Sequence, residues 1–122
     1  MKALLLIAHG SRRQASNDEV ISLANSLMKS MSDEYPVISA GFLELAEPLI
    51  PDALDDCLDK GATEIIVVPY FLSAGRHVQT DVPKEIEQWQ QNHSDCCVHS
   101  VPYIGSSAMM QKLIINSINE SV

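Results

Sequence analysis

The chain has 122 residues, 46% of them hydrophobic and 20% charged, with the apolar residues spread along its whole length, so it reads as one domain (residues 1–122) with a real core and not as a disordered segment. A formal net charge of −8 argues against nucleic acid as a partner and against adsorption to anionic membrane, since both call for a basic surface. The apolar run after Lys2 ends at His9 without a small-residue cleavage site, and no stretch approaches the ~20 apolar residues of a membrane span, so a soluble, cytoplasmic protein is expected.

In chain order, residues 3–8 (Ala-Leu-Leu-Leu-Ile-Ala) form a short continuous apolar run, the pattern of a strand buried on both faces. A loop over residues 9–15 follows. Ser16 and Glu19 have capping-box spacing ahead of Val20, Leu23, Ala24, Leu27, Met28 and Met31, one helical stripe. Pro36 precedes a second strand over residues 37–43. Pro48 suits the first turn of a second helix, whose buried face is Ile50, Ala53, Leu54, Cys57 and Leu58, with Gly61 as its stop. Residues 65–68 are β-branched and read as a third strand. Asp81 is placed to cap a third helix carrying Val82, Ile86 and Trp89. Residues 97–101 read as a fourth strand, and Met110, Leu113, Ile114 and Ile118 mark a last helix.

Strand and helix alternating four times predicts an α/β fold of three layers: a four-stranded parallel sheet, order 2-1-3-4, with helices on both faces. In such sheets ligands bind beyond the carboxyl ends of the strands, where the order reverses. Here the reversal lies between strands 1 and 3. It brings the loop His9-Gly10-Ser11-Arg12-Arg13 beside the loop containing Gly75-Arg76-His77.

Two of the four histidines, His9 and His77, therefore share one predicted crevice. Imidazole suits borderline divalent ions, and a pair leaves most of a coordination sphere open, as a transferable ion needs and a permanent four-ligand site does not. All three arginines, Arg12, Arg13 and Arg76, fall in the same two loops, where their planar forks could pair with the carboxylates of a polyanionic small molecule. Glu44, at the end of strand 2, is a candidate proton acceptor or further ligand at the rim; its alternative is a helix-terminus charge. Cys57 falls on an apolar helix face. His93 belongs near the end of the third helix. Cys96, Cys97 and His99 resemble metal ligands by type, but adjacent strand residues point to opposite faces, which favours a structural role. An odd cysteine count with no Cys-x-x-Cys argues against disulfides or a thiolate site. Phosphate loops and a nucleophile elbow are absent. A phosphate-ester enzyme with His9 as nucleophile is disfavoured because Ala8 stands where an Arg-His-Gly core would need arginine.

Together these motifs resemble the short, CbiX-type sirohydrochlorin chelatases, within the class II chelatases. The matching pieces are Ala8-His9-Gly10-Ser11-Arg12, Phe42-Leu43-Glu44 with Pro48, and Gly61. They continue through Val67 to Leu72, Gly75-Arg76-His77 with Asp81-Val82-Pro83, and Pro102-Tyr103-Ile104-Gly105. The resemblance implies a chelatase-like half-lobe working as a homodimer. It implies metal handling by His9 and His77, and sirohydrochlorin as substrate. The implied metal is cobalt(II) or iron(II), for cobalamin or siroheme, with nickel(II) possible, and no cofactor beyond that substrate ion. Ser11, Arg12, Arg13 and Arg76 are then expected to hold the tetrapyrrole carboxylates, with His9, His77 and Glu44 as the catalytic set. A non-catalytic tetrapyrrole or metal carrier is the alternative. Metal binding and proton acceptance both need neutral imidazole, so activity is expected to fall in acid.

Overall fold

The computed structural model describes residues 1–122. Four parallel strands, β1 (Lys2–Ala8), β2 (Val37–Phe42), β3 (Glu64–Pro69) and β4 (Cys97–Ser100), form one sheet in the order β2-β1-β3-β4. This is the expected topology. β1 is central and pairs on both sides, which is why its apolar run has no alternation: six of its seven residues are buried.

Because side chains alternate across a strand, β1 feeds two separate cores. Ala3, Leu5 and Ile7 point to one face. There they pack with Ile65 and Val67 of β3 and with two helices, α2 (Ile50–Asp59) and α3 (Val82–Gln91). Leu4, Leu6 and Ala8 point to the other face, where α1 (Gln14–Met31) supplies Val20 and Ala24. The last helix, α4 (Met109–Ser121), contributes no buried residue to either.

Several helix starts differ from expectation. Ser16 and Glu19 do not cap α1: the helix already begins at Gln14, Arg13 precedes it without a side-chain cap, and Ser16 lies inside the first turn. The residue that organises this entry is Asn17, the one buried polar side chain. It accepts from the Ser11 backbone N–H at 2.9 Å and donates to the Ser11 carbonyl at 2.8 Å, closing the preceding loop onto the helix. The first-turn proline of α2 is Pro51, because the chain is still extended at Leu49; Pro48 instead offers its carbonyl to the Phe42 N–H. Gly61 ends α2 as expected, at φ +100°, a conformation that glycine adopts without strain. Asp81 caps nothing. A single π-helical turn, His77–Asp81, runs straight into α3, and the Asp81 carboxylate is engaged elsewhere.

Candidate functional site

The crevice beyond the strand ends is built from three adjoining segments. β1 ends at Ala8 and releases His9. β2 ends at Phe42, and two residues on comes Glu44. The backbone ties these ends together: the Leu43 N–H donates to the Ala8 carbonyl and the Glu44 N–H to the His9 carbonyl, both at 3.0 Å. Gly10 makes that approach possible. It sits at φ +93°, and a Cβ there would lie 1.8 Å from the Glu44 carbonyl oxygen. Any side chain at this position must push the two loops apart.

The third segment is the π-turn after β3. It brings His77 against His9, with ring centroids 4.4 Å apart and planes inclined by 31°. Each ring is held by its own carboxylate. His9 Nε2 meets Glu44 Oε1 at 2.8 Å, and His77 Nδ1 meets Asp81 Oδ2 at 2.8 Å. An ionised carboxylate can only accept, so in each neutral ring the bonded nitrogen carries the proton. That leaves the lone pair on Nδ1 of His9 and on Nε2 of His77. A carboxylate behind an imidazole is a recurring way of fixing a metal-ready tautomer and raising its basicity. No three His, Cys, Asp or Glu side chains converge on one point, so what the site offers an ion is a pair of imidazoles and an open remainder.

Both histidine rings are close to half exposed, at 45% and 43%, so an ion or a flat ligand reaches them from solvent. Arg12, Arg13 and Arg76 are exposed, and none forms an ion pair. Their guanidinium groups are thus available at the rim. Ser11 is half-buried; its backbone is taken by Asn17, and its hydroxyl accepts from the Arg13 N–H at 3.0 Å, so it shapes the loop.

The three candidates His9, His77 and Glu44 expected from the sequence lie together in the structure; the sequence reading missed others. It missed Asp81 as the partner of His77. The available signal was the i, i+4 spacing on a helical turn, which aligns the two side chains on one face. It also missed Lys84 and Glu85, which continue that face and line a cavity of about 360 Å³ with Glu44, His77 and Asp81. His93 and His99 stay apart from the site. His93 stacks on Trp89 with centroids 3.9 Å apart, and Asp55 accepts from the Trp89 indole N–H at 2.8 Å. Cys96 is buried while its neighbour Cys97 is exposed, so the three-residue cluster does not form a ligand set.

The chain is 37% identical over 93 residues to a sirohydrochlorin cobaltochelatase of Methanocaldococcus jannaschii, covering 76% of this chain and 64% of that protein. It is 29% identical over 121 residues to a sirohydrochlorin ferrochelatase of Priestia megaterium, covering 99% of this chain and 45% of that one. Among solved structures it superposes on SirB from Bacillus subtilis with Fe3+, with a TM-score of 0.86 and 28% identity over 99% of this chain and 48% of that one. The chain therefore spans less than two thirds of the length of these relatives. The CbiX family model matches residues 3–121, which is nearly the whole chain, and the chain belongs to the CbiX family.

Proposed function

We propose that the chain inserts a divalent metal, cobalt(II) or iron(II), into sirohydrochlorin, a step toward cobalamin or siroheme, with nickel(II) a further candidate ion. The observation that carries this reading is the pair of imidazoles 4.4 Å apart, each backed by its own carboxylate, at the reversal point of the sheet. The names of the cobalt- and iron-chelating relatives support the substrate and the choice of ions.

Insertion requires the ion to shed water and the macrocycle to lose two pyrrole protons. His9 and His77 meet the first need by replacing water on one side of the ion through their free lone pairs. The second falls to the same two rings in turn: as the ion passes into the macrocycle it frees Nδ1 of His9 and Nε2 of His77, and each takes up one of the two pyrrole protons, with Glu44 and Asp81 behind them. A ring that takes up a proton beside an ionised carboxylate becomes an imidazolium whose charge is compensated in place. Asp81 holds His77 in the tautomer that presents Nε2. Arg12, Arg13 and Arg76 pair with peripheral carboxylates and fix the ring over the ion, which converts a two-body encounter into an oriented one. No nucleotide or redox partner enters this scheme. We further place the chain in the cytoplasm as a homodimer; three unpaired cysteines suit a reducing compartment.

The test is a chelation assay with sirohydrochlorin and cobalt(II), followed by absorption. Turnover well beyond one equivalent is expected, whereas a carrier stops at one. His9→Ala and His77→Ala should each abolish insertion with the circular dichroism unchanged. Asp81→Asn should weaken cobalt affinity about 10- to 100-fold, the usual cost of losing a residue that orients a ligand. Wild-type rates in both histidine variants would sink the reading.

A further inference from the structure

Asn17 is the one polar side chain that the fold buries, at 3% exposure. It lies on the same stripe of α1 as Val20 and Ala24, which pack this helix against the sheet, so its backbone is as immobile as the core beneath it. A buried carboxamide is costly unless its oxygen and its nitrogen both find partners. One residue satisfies both. The Asn17 oxygen accepts the Ser11 N–H and its nitrogen donates to the Ser11 carbonyl, so the amide closes on Ser11 like a clamp.

What the clamp fixes is the backbone of two arginines. Ser11 has no polar group to spare, since its hydroxyl accepts the Arg13 N–H. The Arg13 carbonyl in turn accepts the Ser16 N–H at 3.0 Å as α1 begins. Arg12 is therefore a single residue between two fixed ones, and Arg13 runs directly into the helix. Both side chains are exposed, and neither pairs with any of the chain's 16 acidic residues. Unpaired guanidinium groups on a fixed backbone suit an anion from outside the chain.

His9 does not depend on this clamp. Its carbonyl accepts the Glu44 N–H, and its ring meets the Glu44 carboxylate. One loop is thus tied to two different elements: its imidazole to the end of β2, and its arginines to α1.

We propose that Asn17 is a positioning residue for the macrocycle: its clamp on Ser11 aims Arg12 and Arg13 at the ring carboxylates and leaves the metal-binding imidazoles untouched. An arginine on a fixed backbone loses less freedom on binding than one on a mobile loop, so the clamp appears as affinity. The same contacts hold the substrate before and during metal entry, which places the effect in KM and not in kcat. This inference rests on the sirohydrochlorin reading.

The experiment replaces Asn17 in the full chain. In Asn17→Asp an ionised carboxylate keeps the acceptor but has no proton to offer the Ser11 carbonyl. Sirohydrochlorin binding is measured without metal by equilibrium dialysis, and cobalt(II) binding without macrocycle by calorimetry. At neutral pH the variant should bind sirohydrochlorin about tenfold more weakly and show a KM raised about as much, with kcat and cobalt(II) affinity within about twofold of wild type. As pH falls through the carboxylate range the protonated carboxyl regains a donor, and the ratio of variant to wild-type sirohydrochlorin affinity should return toward one. Taking the ratio at each pH cancels the protonation of the ligand's own carboxylates. Asn17→Ala loses both bonds and should show the same weakening with no recovery in acid; it replaces the charged variant if that one does not fold at neutral pH.

Unchanged sirohydrochlorin binding, a loss confined to kcat, or cobalt(II) affinity falling in step with macrocycle affinity would each overturn the inference. Failure of both variants to fold would overturn it too, because the amide would then hold the whole lobe. Cobalt insertion by the wild type separates this outcome from the chelatase reading. A chain that binds sirohydrochlorin through the clamp yet turns over no cobalt upholds the inference and refutes chelation. A chain that inserts cobalt equally well with Asn17→Asp does the reverse, and a wild type that binds no sirohydrochlorin overturns both.

Discussion

The two faces of the sheet are finished differently. On the α2–α3 face, Ala3, Leu5, Ile7, Ile65 and Val67 are all fully buried, and the core there gathers fourteen buried residues. On the α1 face the core gathers eight, and Ile66 and Val68 of β3 remain partly exposed. The central strands β1 and β3 offer large apolar side chains to both sides, Leu5, Ile7, Ile65 and Val67 to one and Leu4, Leu6, Ile66 and Val68 to the other, so the contrast comes from the helices: two cover one face and one covers the other. A sheet face left half-covered shows where the lobe ends as a folding unit and where association has apolar surface left to bury.

The comparison is open to direct attack. Leu54→Ala, on the closed face, should lower stability by about 3 kcal/mol, a loss visible in urea melts at any protein concentration. Leu27→Ala, on the open face, should cost about 1.5 kcal/mol in dilute monomer because less area is lost from a half-exposed site, and more when the chain is concentrated. Equal, concentration-independent costs for the two leucines would erase the distinction between the faces. Asp55→Ala should cost about 1 kcal/mol, since Asp55 accepts the Trp89 indole hydrogen bond that seats α3 against α2; a thermal melt reads this.

The smallest effect is alkaline. Burial raises the Cys57 thiol above its ordinary value, and the hydrogen bond with the Ser39 hydroxyl opposes it. The unfolded chain therefore gives up this proton first. Its contribution to stability is complete below the ordinary thiol value of 9.0 and is lost as pH rises toward the folded value. Urea midpoints measured from neutral to alkaline pH should fall more steeply in the wild type than in Cys57→Ala. Identical slopes would mean the thiol is not shielded by the closed face.

The order of the sheet was legible because apolar runs, β-branched clusters and the stop at Gly61 each have one local reading, and together they leave few topologies. His9 and His77 were legible because that order forces their loops together. The helix starts were not. Ser16 and Glu19 have the right spacing for a cap, but Asn17 binds the Ser11 backbone and pulls the helix start forward to Gln14. Asp81 was read as a cap because an aspartate before an apolar stripe usually is one, whereas here an imidazole four residues back competes for the same carboxylate and wins. The stripe on α4 was visible in the sequence; an apolar stripe declares that a helix will be covered and is silent about which chain covers it.

The π-helical turn at His77–Asp81 also bears on how this chain can change length over time. A π-turn is an α-helical turn holding one residue more than its hydrogen bonding prefers. Removing one residue there would restore regular α-helix and swing everything before it by about 100° around the axis, at 3.6 residues per turn. His77 would leave His9, although every residue type at the site survived. Homologous chains should therefore vary freely in composition along this turn, on the faces away from His77 and Asp81, but should neither gain nor lose a residue between His77 and Val82.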